Sequence, residues 1–105
     1  MIDILEEKKG EKIVLLDLRE IVNFTDYFII CNGTSDRMLQ SLADAVIEGA
    51  RAKLRIHGRI QGSPDGGWVV VDMGDVVIHL FSPDQRDFYK LEELWQAGKV
   101  VLRLQ

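Results

Sequence analysis

Two short stretches of this chain are apolar at almost every position: residues 13–18 (Ile-Val-Leu-Leu-Asp-Leu) and residues 26–32 (Asp-Tyr-Phe-Ile-Ile-Cys-Asn). Both are rich in β-branched or aromatic residues and too short for a buried helix, so both read as strands. Strands of this kind imply a sheet covered on both faces, at least at its centre. The rest of the chain has to supply that cover.

The clearest cover is a helix beginning at Thr34 or Ser35, either of which offers an N-cap oxygen, with Asp36 in the positive first turn. Leu39, Leu42, Ala43, Val46, Ala50 and Leu54 then recur at three and four residues, and Asp36, Gln40, Asp44, Glu48 and Arg51 fall mostly opposite. The spacing predicts an amphipathic helix of about five turns. Residues 54–60 read as the next strand, which makes a βαβ-like unit with a right-handed crossover if parallel. A shorter helix is expected over residues 2–9, ended by Gly10. Residues 61–67 are loop by composition.

A hairpin follows, with arms Trp68-Val69-Val70-Val71-Asp72 and Asp75 to Phe81 around Met73-Gly74, where Gly74 permits a positive φ. Ser82-Pro83-Asp84-Gln85 then starts a helix: Ser caps, Pro fits the first position, and Gln85 completes a capping box. Phe88, Leu91, Leu94 and Trp95 carry helical spacing on to Gly98, and residues 99–105 suit a short edge strand. The order α, β, β, α, β, β, β, α gives an α/β fold, a two- or three-layer sandwich on a mixed sheet of about five strands. No linker or repeat divides the 105 residues, so one domain spanning 1–105 is expected, with enough apolar material (47%) for its own core.

Charge and composition narrow the function. Thirteen Lys and Arg against 17 Asp and Glu give a net charge of −4. Such a chain is a poor candidate for gripping phosphate backbone and better suited to a basic protein partner. Cys31 is alone, which leaves no intramolecular disulfide or thiolate metal site and reads as a buried small hydrophobe. No apolar run approaches the ~18 residues of a membrane span. The start of the chain has neither signal-peptide nor transit-peptide character, so a cytosolic setting is expected.

Two sets of residues could carry a function. Gly33-Thr34-Ser35 at a strand-to-helix junction resembles a phosphate cradle, and Asp72, Asp75 and His79 could hold a metal. The P-loop lysine and the G-x-G-x-x-G spacing are both missing, however. The plainer reading is an N-cap, two turn residues and a histidine hydrogen-bonded to a neighbour. The second set is aromatic: Trp68 on the hairpin, Tyr89 and Trp95 on the last helix, with Asp84, Asp87, Glu92 and Glu93 nearby. Aromatics rimmed by carboxylates suit a hot spot facing a basic protein, although each could equally cap the core.

Five segments then act together: Asp17-Leu18-Arg19; Thr25-Asp26-Tyr27-Phe28-Ile29-Ile30; Gly33-Thr34-Ser35-Asp36-Arg37; the whole hairpin from Trp68 to Phe81; and Arg86-Asp87-Phe88-Tyr89-Lys90-Leu91-Glu92-Glu93-Leu94-Trp95. In this order they resemble the ribosomal silencing factor family, also called Iojap-like proteins. The segment from Gly62 to Gly67 and the tail after Trp95 are the least family-like. The resemblance implies a nucleotidyltransferase-like topology without catalysis, and a translational regulator of the bacterial cytosol. It implies binding to the large ribosomal subunit through a basic ribosomal protein at the intersubunit face, the fourteenth of that subunit. There it would block joining of the small subunit when nutrients are short. On this basis the expected contact surface comprises Trp68, Asp72, Asp75, Tyr89, Glu92 and Trp95. No catalytic residue, metal, cofactor, membrane contact or sequence-specific nucleic-acid binding is expected. The competing expectations are a nucleotide-binding or nucleotidyltransferase-type enzyme built on Gly33-Thr34-Ser35 and Asp72/Asp75, and a homodimer formed through the hairpin.

Overall fold

The computed structural model describes residues 2–91 and 99–104. Its elements are α1 (Ile2–Glu7), β1 (Glu11–Asp17), β2 (Tyr27–Asn32), α2 (Asp36–Gly49), β3 (Arg59–Ser63), β4 (Trp68–Asp72), β5 (Val76–Phe81), α3 (Pro83–Tyr89) and β6 (Lys99–Leu104). The six strands form one sheet in the order β3-β4-β5-β2-β1-β6. All neighbours are antiparallel except β2 and β5, whose parallel pairing at the centre makes the sheet mixed. The sixth strand is the C-terminal tail, which pairs with β1 from Ile13↔Leu104 to Asp17↔Lys99.

The helix α2 lies on one face. Ser35 caps it by accepting from Met38 N at 3.1 Å. Its Leu39, Leu42, Ala43 and Val46 are buried against Ile13, Ile29, Val69, Val71, Ile78 and Leu80 of the strands, with Leu5 of α1 in the same cluster. Beyond Gly49 the helix does not stop but widens into a π turn, Ala50–Leu54, closed by Arg55 at φ 56°. The wider turn shifts the helical phase, so Leu54 is 57% exposed instead of continuing the buried row.

Two expectations are corrected here. Residues 54–60 are not a strand: Leu54 and Arg55 end the helix, and β3 starts at Arg59 and takes in three residues of the expected loop. Leu54, Ile56 and Ile60 alternate like a strand, but Leu54 still lies in the π turn. β3 also lies at the edge of the sheet, with β4 and β5 between it and β2, so the unit is not a tight βαβ. The last helix is broken at Lys90, where its periodicity predicts continuity, and Leu91 is helical again. Lys90 adopts φ 48° and donates its N–H to Arg86 O at 2.9 Å, which closes α3 after Tyr89. The expected continuation through Leu94 and Trp95 lies outside the described residues.

The hairpin is as expected: Asp72 pairs with Val77, Met73 N donates to Val76 O at 2.9 Å, and Gly74 takes φ 85°. Gly67, at φ 76°, marks the start of β4. A Cβ there would stand 2.7 Å from Ser82 Oγ, so glycine lets the backbone lie against the cap of α3. The second face of the sheet carries a smaller cluster, Val14, Leu16, Leu18, Phe28, Ile30, Phe81 and Leu91, with Val22, Trp68 and Val77 packed on it. No helix of the described residues is long and apolar enough to cross a membrane.

Candidate partner-binding face

On the face away from α2, register places side chains in rows. Trp68, Val70 and Asp72 of β4 stand opposite Phe81, His79 and Val77 of β5. Phe28, Ile30 and Asn32 of β2 continue the rows through Val77, His79 and Phe81. Alternation therefore collects the large aromatic residues of three strands on one side. They form a continuous line of rings. Phe24 meets Phe28 at 6.3 Å between centroids, Phe28 meets His79 at 4.6 Å, His79 meets Trp68 at 5.9 Å, and Trp68 meets Tyr89 at 4.5 Å. Phe88 ends it, 5.0 Å from Tyr89 and perpendicular to it.

Burial grades along this line. His79 and Phe81 are buried in the middle, whereas Phe24 (60%), Phe88 (76%) and Tyr89 (42%) are exposed at the two ends. Trp68 is half-buried, its ring held between Tyr89 and Phe81, the latter at 4.8 Å. Its indole Nε1–H donates to His79 Nδ1 at 3.2 Å. That bond fixes the tautomer: neutral His79 carries its proton on Nε2, which is buried and has no hydrogen-bond partner among the described residues. Burial pushes the His79 pKa down to about 4, so the ring is neutral at pH 7. The face is thus a largely apolar platform whose central indole is held in place by a polar tether to His79.

The helix α3 is fastened to this face by Arg86, which sequence reading passed over. Its guanidinium is buried and donates to Asn32 Oδ1 at 2.9 Å and to the carbonyl of Lys12. A bulge between Glu11 and Val14 in β1 accompanies that contact. At the other end, residues 18–25 cover the sheet and are tied to the hairpin. Asp75 O accepts from Asp26 N (2.9 Å), Tyr27 N (3.0 Å) and Thr25 Oγ1 (2.9 Å). This tie presents Phe24, a second residue that the sequence reading missed. Its sequence signal is slight: Phe24 follows Ile21 and Val22 in a short segment between strands.

The residues expected to form the contact surface are only partly gathered. Trp68 and Tyr89 are in contact. Asp72 and Asp75 lie at the opposite end of the hairpin, about 13 Å along the strand from Trp68. Asp72 also serves the turn, with Oδ1 accepting from Gly74 N at 2.9 Å. The exposed carboxylates nearer the aromatic pair are Asp84 and Asp87 of α3. Glu92 and Trp95 lie outside the described residues.

The parts of a nucleotide site are separated. Gly33-Thr34-Ser35 follows the C-terminal end of β2, next to Phe81, whose carbonyl accepts from Gly33 N at 2.9 Å. Asp72 and Asp75 stand at the other end of β5, about 17 Å away. Gly33 is explained by packing, since a Cβ there would stand 2.9 Å from Leu39. Among the described residues no three His, Cys, Asp or Glu side chains are placed to hold a metal ion. Cys31 is buried, and desolvation raises its pKa to about 12, so its thiol stays protonated and is a poor nucleophile. The hairpin strands are interior to the sheet, and the edges are β3 and β6, so edge-to-edge self-pairing through the hairpin is not available.

Comparison with known proteins gives a consistent result. Residues 1–104 match the family model described as ribosomal silencing factor during starvation. A ribosomal silencing factor of Bacillus subtilis is 39% identical over 90 residues, covering 86% of this chain and 76% of its own. The mouse protein named mitochondrial assembly of ribosomal large subunit protein 1 is 30% identical over 98 residues, covering 90% of this chain and 43% of its own. The crystal structure of a Chromobacterium violaceum protein superposes with a TM-score of 0.85 at 34% identity, covering 90% of this chain and 79% of that one.

Proposed function

We propose, from the fact that this chain belongs to the ribosomal silencing factor family, that it represses translation in association with the ribosome. In this reading it docks on the large subunit through a basic ribosomal protein, the fourteenth, and sterically prevents the small subunit from joining. Family membership supports the repression. The observation that supports a docking mechanism is the aromatic line, with Trp68 clamped between Phe81 and Tyr89 at its centre. A pre-ordered indole beside exposed Tyr89 and Phe88 is the type of anchor on which protein interfaces concentrate their affinity. Asp84 and Asp87 beside it, and Asp72 and Asp75 at the far end, set negative charge around an apolar centre, which favours a basic partner. Glu92 and Trp95 belong to the same proposed surface.

Steric exclusion needs only bulk. The domain measures 34 × 33 × 23 Å, larger than any side-chain contact that would have to form across the intersubunit gap. No bond is made or broken, and nothing in the geometry favours nucleotide transfer over docking.

The test is a sucrose gradient of purified large subunits preincubated with excess protein and then challenged with small subunits. The protein should travel with free large subunits, and the peak of joined ribosomes should shrink. Protein remaining at the top of the gradient, with joining unaffected, would sink the proposal.

A further inference from the structure

Charge is unevenly distributed in this acidic chain. No carboxylate occurs between Glu48 and Asp65, whereas Arg51, Lys53, Arg55 and Arg59 all fall within that interval. The segment runs off the end of α2: Arg51 and Lys53 lie in the π turn, Arg55 closes it at φ 56°, and Arg59 opens the edge strand β3. All four side chains are exposed.

Internal uses account for little of this charge. Arg51 pairs with Glu48 at 2.5 Å, but Lys53, Arg55 and Arg59 hold no ion pair among the described residues. Basic residues at a helix end complement its negative pole, which explains Arg51 and Lys53. That account does not reach Arg55 and Arg59, which lie past the last helical residue. Arg59 stands opposite Asp72 in the β-ladder, yet the Asp72 carboxylate is turned to Gly74 N. β3 is exposed at all five positions and is paired only on its β4 side.

The chemistry of the row selects its partner. Arginine predominates, and its planar fork matches phosphate oxygens. The charges follow one another from the π turn into the edge strand with no Trp, Tyr or Phe among them, so they suit a backbone more than stacked bases. With four basic side chains and no carboxylate over residues 49–64, this edge is a stretch that a polyanion can approach without local repulsion.

We propose that the basic edge of Lys53, Arg55 and Arg59, with Arg51 beside it, is a contact surface for RNA backbone phosphates. It gives the domain a second hold on an RNA-rich subunit while the aromatic face engages protein, and in that respect it rests on the docking reading above. Recognition is of the backbone and carries no base sequence.

The probe is a fluorescein-labelled RNA hairpin of about 20 base pairs, followed by anisotropy over a KCl series, with poly-glutamate as the competing polyanion. Three phosphate contacts correspond to a loss of affinity of about 20- to 40-fold between 50 and 200 mM salt. Lys53→Glu/Arg55→Glu/Arg59→Glu, checked for an unchanged circular-dichroism melt, should bind the hairpin at least about tenfold more weakly at 50 mM KCl. The variant should also lose the steep salt slope. Trp68→Ala should keep hairpin binding while losing large-subunit binding. The proposal is overturned by absent hairpin binding at 50 mM KCl, by equal binding of wild type and triple variant, or by poly-glutamate binding as tightly as RNA. A wild-type protein that binds the hairpin in this manner yet ignores large subunits would fail the docking reading and leave the phosphate surface standing. Subunit binding without hairpin binding would do the reverse.

Discussion

The two faces of the sheet are built from different materials. Under α2 the contacts are aliphatic, with Ile13, Ile29, Val69, Val71, Ile78 and Leu80 meeting Leu39, Leu42, Ala43 and Val46. The titratable group in that cluster is Cys31, whose thiol burial holds protonated. The opposite face carries a chain of rings, a neutral histidine tethered to an indole, and a buried arginine that fastens α3. One face is closed by a helix of fourteen residues, and the other is left partly open with three aromatic rings exposed at its ends. Burial of aliphatic surface supplies stability without direction, whereas rings and polar tethers fix side chains in position. In the docking proposal, the division assigns folding mainly to one face and recognition to the other.

The sharpest way to break that division is Leu42→Ala. Leu42 is fully buried under α2, and its truncation should cost about 2–5 kcal/mol in urea unfolding. Large-subunit affinity of the folded variant should not change, and an affinity that fell with stability would show the faces to be coupled. Acid should act from the other side. The folded pKa of His79 is depressed to about 4 from the ordinary 6.5, so the unfolded chain takes up a proton that the folded one refuses. This contribution to stability is complete above pH 6.5 and is lost as pH falls toward 4, about 3 kcal/mol at full effect. Stabilities from denaturant melts of wild type and His79→Phe should run parallel above pH 6.5, and wild type should lose about 3 kcal/mol relative to the variant as pH falls toward 4; curves parallel over the whole range would remove His79 as the cause. The smallest expected effect is at the rim. Tyr89→Ala should weaken docking by about 2 kcal/mol, roughly 30-fold, with a smaller change in melting than Leu42→Ala, because the residue lies at the exposed end of the aromatic line. Titration of labelled variant against large subunits reads that number directly.

Much of the fold was legible because its signals are local. The caps of α2 and α3 at Ser35 and Ser82 and the hairpin around Gly74 each depend on a few adjacent residues. Three features were hidden, one because no residue type marks it and two because their causes lie far along the chain. The π turn at Ala50–Leu54 changes the helical period without any breaker residue, and so displaced the start of β3. Arg86 reads as one more surface charge of a polar helix, and its burial depends on Asn32 and on Lys12, 74 positions away. Phe24 is placed by the tie of Thr25 to Asp75, 50 positions away. The candidate site was half legible for the same reason: Trp68 and Tyr89 meet, while the acidic turn lies at the other end of its strand.

The parallel pairing of β2 with β5 bears on how the chain reaches this state. Tyr27 must find Val76 at the centre of the sheet, and Ile13 must find Leu104 at its edge, so the sheet is joined by pairings 49 and 91 positions apart. Closing such distant loops costs entropy before the contacts reward it, which places this topology among the slower folders of its size. It also means that a growing chain cut off before Val76 lacks the strand between β4 and β2, and with it the floor beneath Trp68. During its own synthesis the protein therefore has no finished aromatic face until β5 and α3 have both been made.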